Sequence, residues 1–146
     1  MLIRLLPEQA SRYWGDIKMA VEKSLPPIVG MQVDRMNNIL TSVLSGLTTV
    51  WVSTEQRPEG NVITGIVLTK FIHDDASGTK SLLIYCLYGY GDGKLESWES
   101  GFETLRTFAK GNGCHRIIAY TDVPSIIKYV EKLGMDTKYR LLSYSL

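Results

Sequence analysis

This sequence has little of what marks membrane, secreted or nucleic-acid-binding proteins. It has no apolar run that approaches the roughly 20 residues needed to cross a bilayer. Its 16 basic and 15 acidic residues leave a net charge of +1, and no long basic run gives it the electrostatic pattern of a nucleic-acid-binding protein. Met1–Leu6 is too short for the apolar core of a secretory signal. We therefore expect a cytoplasmic protein, or one packaged inside a particle made in the cytoplasm.

Cysteine and histidine are also scarce, with two of each. Cys86 lies inside an apolar run and Cys114 follows Gly113, so both are expected to be buried thiols, not joined in a disulfide, in a reducing compartment. The cysteines and histidines together match no metal-ligand spacing. What is present is an ordinary balance of 45% hydrophobic and 21% charged residues in 146 residues. This balance predicts one domain, residues 1–146, whose core needs no cross-link.

The periodicity of apolar residues predicts a short strand, two helices and then three strands. The strand over 2–6 is stopped by Pro7, and helical spacing follows over 8–23 and 33–47. Segments 48–53, 62–72 and 81–88 are strand-like, and the turns at 57–61 and 74–78 predict hairpins between them. The last two of these strands are apolar on both faces, which is typical of the centre of a covered sheet.

One amphipathic helix is predicted after the third of these strands. Its apolar stripe recurs at intervals of three and four residues, through Leu95, Trp98, Phe102, Leu105 and Ala109. A competing signal, the capping box Ser100–Glu103, would begin the helix at Gly101. The stripe favours the earlier start at Leu95, although Gly101 would then cost the helix about 1 kcal/mol.

The remaining elements complete a mixed α/β domain. A strand is expected over 116–121, a helix between Asp122 and Gly134, and a final edge strand over Tyr139–Tyr144. The expected order is β-α-α-β-β-β-α-β-α-β, in an α/β fold with a mixed, mostly antiparallel sheet and helices on both of its faces. The residues expected on the buried face of the last helix are Ile126, Ile127, Val130 and Leu133.

A glycine-rich stretch joins the third strand of the hairpins to the amphipathic helix. In "YGYGDGKLESW" (Tyr88–Trp98), Gly89, Gly91 and Gly93 alternate with other residues. A strand, such a loop and a helix form a context in which backbone N–H groups and the helix dipole can hold an anion. The alternative is a tight turn whose glycines supply positive φ angles.

The order of elements and two segments resemble the GCN5-related N-acetyltransferase superfamily. "FAKGNGCHRIIAYTD" (108–122) is similar to the superfamily's helix–Gly–Cys–strand step, and "KYVEKLGM" (128–135) is similar to its last helix. The resemblance covers nearly the whole chain in element order and is specific in motif from about Trp98 onward. It implies a sheet splayed between its fourth and fifth strands. Acetyl-coenzyme A would enter the splay, with its pyrophosphate on the loop before the third helix.

The resemblance assigns coenzyme binding to the glycine loop. The positions concerned are Gly89, Tyr90, Gly91, Asp92, Gly93 and Lys94. Tyr88 stands where the family commonly has Arg or Gln, and Asp92 adds a negative charge. Counting back from Gly113 by the family's usual spacing places the glycine pair near Glu96 and Trp98 instead.

The resemblance also implies a tyrosine acid. Many members use a tyrosine to reprotonate the coenzyme thiolate, at the position where Val130 stands here. The neighbouring Tyr129, about 100° away around the helix, is the predicted catalytic residue. The candidate general bases are Glu55, His73 and Asp74, all near strand ends.

Two functions follow as hypotheses. The first is an acetyl-CoA-dependent N-acetyltransferase for an unidentified small-molecule or peptide amine. The amine would be framed by Trp14, the loop after Val21 and the hairpin turn at 73–78. The second is a catalytically inactive copy of the fold, phage-encoded copies included, that acts as a binding or structural protein for a protein partner. Neither hypothesis includes nucleic acid, membrane or metal.

Overall fold

Five strands and five α-helices make up the described part of the chain. The structure, a computed structural model, describes residues 1–91 and 95–146, with the side chains of residues 95 and 96 left aside. The elements are β1 (Leu2–Arg4), α1 (Pro7–Arg12), α2 (Trp14–Lys23), α3 (Arg35–Leu44), β2 (Thr48–Arg57), β3 (Gly60–Asp74), β4 (Thr79–Gly89), α4 (Leu95–Gly111), β5 (Arg116–Ala119) and α5 (Pro124–Lys132), with a 3-10 turn at Pro27–Val29. The predicted start of α4 at Leu95 is confirmed. None of the described helices combines the length and apolarity that a membrane span requires.

The strands form one sheet in sequence order. β1 to β4 pair antiparallel, and β5 pairs parallel to β4. The parallel step is possible because α4 supplies the crossover that such a connection needs. The predicted mixed, mostly antiparallel sheet is therefore confirmed.

The core lies on both faces of this sheet, because the central strands are apolar at consecutive positions. In β3, Ile66 and Leu68 pack beneath α1, α2 and α3, whereas Val67 packs beneath α4. Trp51 of β2 joins the α4 side, where its ring meets that of Phe108 edge-on at 4.9 Å. The predicted placement of helices on both faces is confirmed.

Two predictions about elements are wrong. The first helix is interrupted at Tyr13, so that α1 and α2 replace one helix over 8–23. The final strand over Tyr139–Tyr144 is not formed, and no backbone–backbone hydrogen bond joins residues 136–146 to any described residue. A strand needs partners for its N–H and C=O groups as well as an alternating pattern. Residues 139–144 have the alternating pattern, but no described strand pairs with them.

Candidate functional site

The fourth and fifth strands part halfway along their length. They pair from Ser81 with Arg116 to Ile84 with Ala119, where β5 ends. β4 runs on to Gly89, held on its other side by β3. In the described chain, the stretch of β4 from Tyr85 to Gly89 therefore has no strand beside it on the β5 side. This opening lies where the resemblance implies a splay.

A β-bulge in β4 coincides with the point of parting. Leu68 of β3 pairs with Cys86, and the next residue, Thr69, pairs with Ile84. Tyr85 is the extra residue between them. A bulge bends its strand, increases the local twist and re-aims side chains. The sheet is therefore bent and twisted at the residue where the opening begins.

Tyrosines line the side of β4 that faces α2. Tyr85, Tyr88 and Tyr90 are partly buried and pack against the core beneath the first three helices, as does Trp14. The rings of Tyr88 and Tyr90 meet edge-on with centroids 5.1 Å apart. Burial raises the pKa of Tyr85, and Cys86 and Tyr120 raise it further. The Tyr85 hydroxyl therefore carries its proton at neutral pH.

The carboxylate of Asp16, on α2, affects the pKa of one of these tyrosines, Tyr90. Burial is the main cause of the raised pKa of Tyr90, and the charges of Tyr88 and Asp16 add to it. Asp16 is exposed to solvent and lies two residues after Trp14, the first residue of α2. Asp16 could not be identified from the sequence, because no motif marks it and its proximity to Tyr90 depends on how α2 packs on the sheet.

Gly89 and Gly91 each have a structural reason to be glycine. A Cβ built on Gly89 would lie 3.1 Å from Cζ2 of Trp98, so the indole occupies the space of a side chain. A Cβ built on Gly65, which pairs with Gly89, would lie 3.6 Å from Cη2 of the same ring. Gly91 has a φ of +67°, which favours glycine. Asp92, Gly93 and Lys94 lie outside the described residues, so the coenzyme role of the loop stays a prediction.

The hydroxyl of Tyr129 is the one buried side-chain oxygen or nitrogen in the described ranges that has no hydrogen-bond partner. Burial raises the pKa of this tyrosine, and the charge of Glu99 raises it further. Glu99 follows Trp98 in α4, and Trp98 contacts Gly89. Tyr129 therefore lies near enough to α4 for the charge of Glu99 to affect its pKa. An unpartnered buried hydroxyl is rare in native proteins and is explained if a bound group accepts its proton.

Of the candidate bases, Glu55 lies at the Gly89 end of the sheet, whereas His73 and Asp74 lie at the opposite end. Glu55 pairs with Arg57 at 3.2 Å on the surface. Asp74 accepts hydrogen bonds from the Ser77 hydroxyl at 2.6 Å and the Ser77 amide at 2.8 Å, which lower its pKa. His73 pairs with Lys80, nine residues of β4 or about 30 Å from Gly89. The turn at 73–78 is therefore not brought together with Tyr129 and the loop.

A metal centre is not evident in the part of the chain that the structure describes, where no three His, Cys, Asp or Glu side chains are grouped. The two cysteines are free, and Cys86 is buried as predicted, whereas Cys114 is only half-buried because it lies at the turn after α4. Burial raises the pKa of Cys86 to about 12, with a smaller opposing effect of a hydrogen bond with Ser24. A thiol with this pKa is a poor nucleophile at neutral pH.

Comparison with known proteins identifies the fold. No family model and no curated protein matches the sequence. Among solved structures, a ribosomal-protein-alanine N-acetyltransferase from Brucella melitensis superposes with a TM-score of 0.69 at 13% identity, covering 100% of this chain and 99% of that one. A putative acetyl transferase from Pyrococcus furiosus gives 0.69 at 16% identity, covering 100% and 99%. AAC(6')-Iy, bound to the bisubstrate analogue CoA-S-monomethyl-acetylneamine, gives 0.69 at 14% identity, covering 100% and 97%.

These similarities extend over the whole length of the chain and of each neighbour. The fold expected from the resemblance to the GCN5-related N-acetyltransferases is confirmed. At these identities the similarity establishes the fold, and activity has to be argued from the site.

Proposed function

We propose that this chain is a divergent GCN5-related N-acetyltransferase that transfers an acetyl group from acetyl-CoA to an amine. The observation that carries the proposal is the opening between β4 and β5, which is bulged at Tyr85. The buried hydroxyl of Tyr129, which has no partner among the described residues, is a second observation in its favour. The acetyltransferase fold over the full chain supports it.

The residues around the opening fit a thioester donor. The edge of β4 from Tyr85 to Gly89 can pair with an extended, amide-bearing chain such as pantetheine. We assign the pyrophosphate to the loop of Gly89, Tyr90, Gly91, Asp92, Gly93 and Lys94, before the N-terminus of α4. Bound acetyl-CoA would supply the acetyl group as a thioester.

Tyr129 is assigned as the proton donor to the leaving sulfur. Its raised pKa keeps the Oη proton in place at neutral pH, and no described protein group competes for that proton. The nearby negative charge of Glu99 favours the neutral hydroxyl over the phenolate.

The amine is assigned to the α2 side of the opening, beside Trp14, Asp16 and Tyr90. Asp16 is a carboxylate close enough to Tyr90 to affect its ionisation, and it is exposed to solvent. We assign it the role of taking a proton from the incoming ammonium, directly or through water. The acceptor class is a small-molecule or peptide amine.

The test is a thermal shift with acetyl-CoA. A ligand at 100 times its Kd stabilises the folded state by about 2.7 kcal/mol, which corresponds to a rise in Tm of roughly 5–10 °C. Gly91→Glu should abolish the shift, because it places a negative charge in the loop. Gly46→Glu is the matched control, since Gly46 also has a positive φ and open space around it.

The outcomes separate the two hypotheses. No shift at millimolar acetyl-CoA contradicts the enzyme and favours a non-catalytic binding protein of the same fold. A shift that survives Gly91→Glu excludes the loop from donor binding and leaves the opening as the donor site.

The role of Tyr129 is tested by Tyr129→Phe, which removes only the hydroxyl. Because that hydroxyl has no described partner, stability and the acetyl-CoA shift should be retained. Turnover with a responsive amine should fall about 100-fold, the lower end of what a general acid contributes. Tyr139→Phe, at a tyrosine that is 77% exposed, is the control. Unchanged turnover in Tyr129→Phe would remove the assignment.

A further inference from the structure

The outer edge of β1 has unpaired backbone groups in the described chain. β1 is the first strand in the sheet order, and β2 is the strand that pairs with it. The Leu5 amide donates to the Val50 carbonyl at 2.9 Å, so the backbone groups of Leu5, and of Ile3 two residues before it, face β2. Those of the alternate residues, Leu2 and Arg4, therefore point outward. No backbone–backbone hydrogen bond from a described residue reaches them.

A groove of about 640 Å³ lies at this edge on the α4 face of the sheet. Arg4 of β1 and Trp51 of β2 line it together with Thr104 and Phe108 of α4. The guanidinium carbon of Arg4 lies over the Phe108 ring, 5.3 Å from its centroid. Stacking on an aromatic face orients a guanidinium and leaves the N–H groups at its edge available to a ligand.

The charge of Arg4 is not matched by a described acidic residue. Arg4 is exposed and forms no ion pair within the described ranges. Glu103, the acidic residue that lines the groove, pairs with Arg106 on its own helix. A guanidinium presents its N–H donors in a fork that matches a carboxylate. The groove therefore offers a binding position for an acidic side chain.

A second cavity lies at the same edge on the opposite face, where α1 and α3 pack. It has a volume of about 210 Å³, and Leu5, Leu6, Pro7 and Val43 line it together with residues 48–50. Leu6 is 55% exposed there. Arg4 also lines this cavity, so the two cavities adjoin the same residue of β1. A cavity of about 150 Å³ admits a benzene ring, so this one has room for an aliphatic or aromatic side chain.

Unpaired backbone groups with a side-chain site on each face are what an extended peptide requires of a sheet edge, because successive side chains of a strand point to opposite faces. We propose that this edge binds an extended segment of a partner protein, which adds as a strand beside β1. The segment would place an aspartate or glutamate against Arg4 and an apolar side chain in the cavity at Leu5–Pro7.

Charge decides against a second copy of this chain as the occupant. β1 contains no acidic residue, so pairing of two β1 edges would leave Arg4 without a carboxylate. The peptide-binding role goes beyond the acetyltransferase proposal and does not depend on it. β1 lies three strands away from β4 in the sheet, so an occupied edge leaves the opening beside β4 free.

The first experiment selects binders from a phage-displayed library of random twelve-residue peptides on the immobilised full chain. The selected sequences should share an aspartate or glutamate, with an apolar residue at an odd spacing from it. Isothermal titration calorimetry of a selected peptide should show at least about a tenfold loss of affinity in Arg4→Glu, because repulsion replaces a charge-assisted hydrogen bond. Arg12→Glu, the same change at an exposed arginine of α1, should bind like the parent. Both variants should keep the far-UV circular dichroism of the parent.

Backbone pairing is tested in the peptide, where no change to the protein is needed. Alternate N–H groups of a strand point to opposite edges, so N-methylation of one alternate set of residues should abolish binding and N-methylation of the other set should preserve it. In the complex, the amides of Leu2 and Arg4 should exchange hydrogen more slowly.

Three outcomes would overturn the proposal. The first is that no peptide is enriched, whether the edge stays open or the amides of Leu2 and Arg4 become protected by self-association of the chain. The second is a selected peptide that binds Arg4→Glu as tightly as the parent. The third is a peptide whose two N-methylated forms bind equally.

Discussion

At Gly89 the main chain of β4 and the indole of Trp98 approach so closely that an added Cβ would force the ring to move by a few tenths of an ångström. Gly89→Ala should lower the free energy of unfolding by about 1–3 kcal/mol, the usual range for overpacking. Chemical denaturation measures this change. Gly15→Ala is the control, because Gly15 lies in α2 with open space around it, and alanine there should stabilise the helix.

The cause of that loss is checked by a second substitution. Trp98→Leu shortens the side chain that meets position 89, so it should remove most of the additional cost of Gly89→Ala in a double-mutant cycle. Additive effects would mean that the two positions do not interact. The packing explanation of Gly89 would then be wrong.

Burial of the Cys86 thiol links stability to alkaline pH. The pKa rises from 9.0 to about 12 on folding, mainly through burial. The unfolded chain therefore loses this proton at lower pH than the folded chain. The contribution is fully present below pH 9 and is lost as the pH rises from 9 towards 12. Urea denaturation of the parent and of Cys86→Ala across this range should show a steeper decline in the parent. Parallel declines would contradict the prediction.

At the scale of the secondary-structure element, Tyr85 is one extra residue in β4, whose other residues pair one to one with β3. Deleting Tyr85 leaves Ile84 and Cys86 adjacent, in register with Thr69 and Leu68. Because Ile84 and Cys86 already face opposite sides of the sheet, the deletion keeps both cores and straightens β4. The variant should fold cooperatively and lose the acetyl-CoA shift. Tyr85→Phe, which keeps the bulge, should retain the shift. Retention by the deletion variant would show that the bulge is not needed.

Several elements could be predicted from the sequence because their causes are local. The stripe from Leu95 to Ala109 alone predicted α4, and consecutive apolar residues in β3 and β4 indicated a sheet covered on both faces. The bulge at Tyr85 could not be predicted, since it depends on register with β3. The proximity of Asp16 to Tyr90 could not be predicted either, since α2 and β4 meet only through packing. The strand at Tyr139–Tyr144 was predicted from its pattern, but pattern does not supply a partner.

At the scale of the molecule, β3 joins the two cores. Its neighbours Ile66 and Val67 belong to opposite faces, so neither face can lose its packing without disturbing the other. We therefore predict that residues 1–146 unfold as one unit. Variants that keep only Trp14 or only Trp51 report on opposite faces. In each, the fluorescence midpoint in urea should coincide with the midpoint from circular dichroism. Separate midpoints would indicate two units.

The parallel pairing of β4 with β5 sets the order in which the molecule assembles. β2, β3 and β4 are joined by short turns, so each closes on its neighbour early, at a small entropic cost. β5 can join β4 only after the chain from Gly89 to Arg116 has been gathered into a crossover, which is a longer loop to close. The proposed site is therefore completed by a non-local step of folding, which closes a longer loop than either hairpin does. We expect a brief opening of the native state to separate β5 from β4 before it reaches the hairpins.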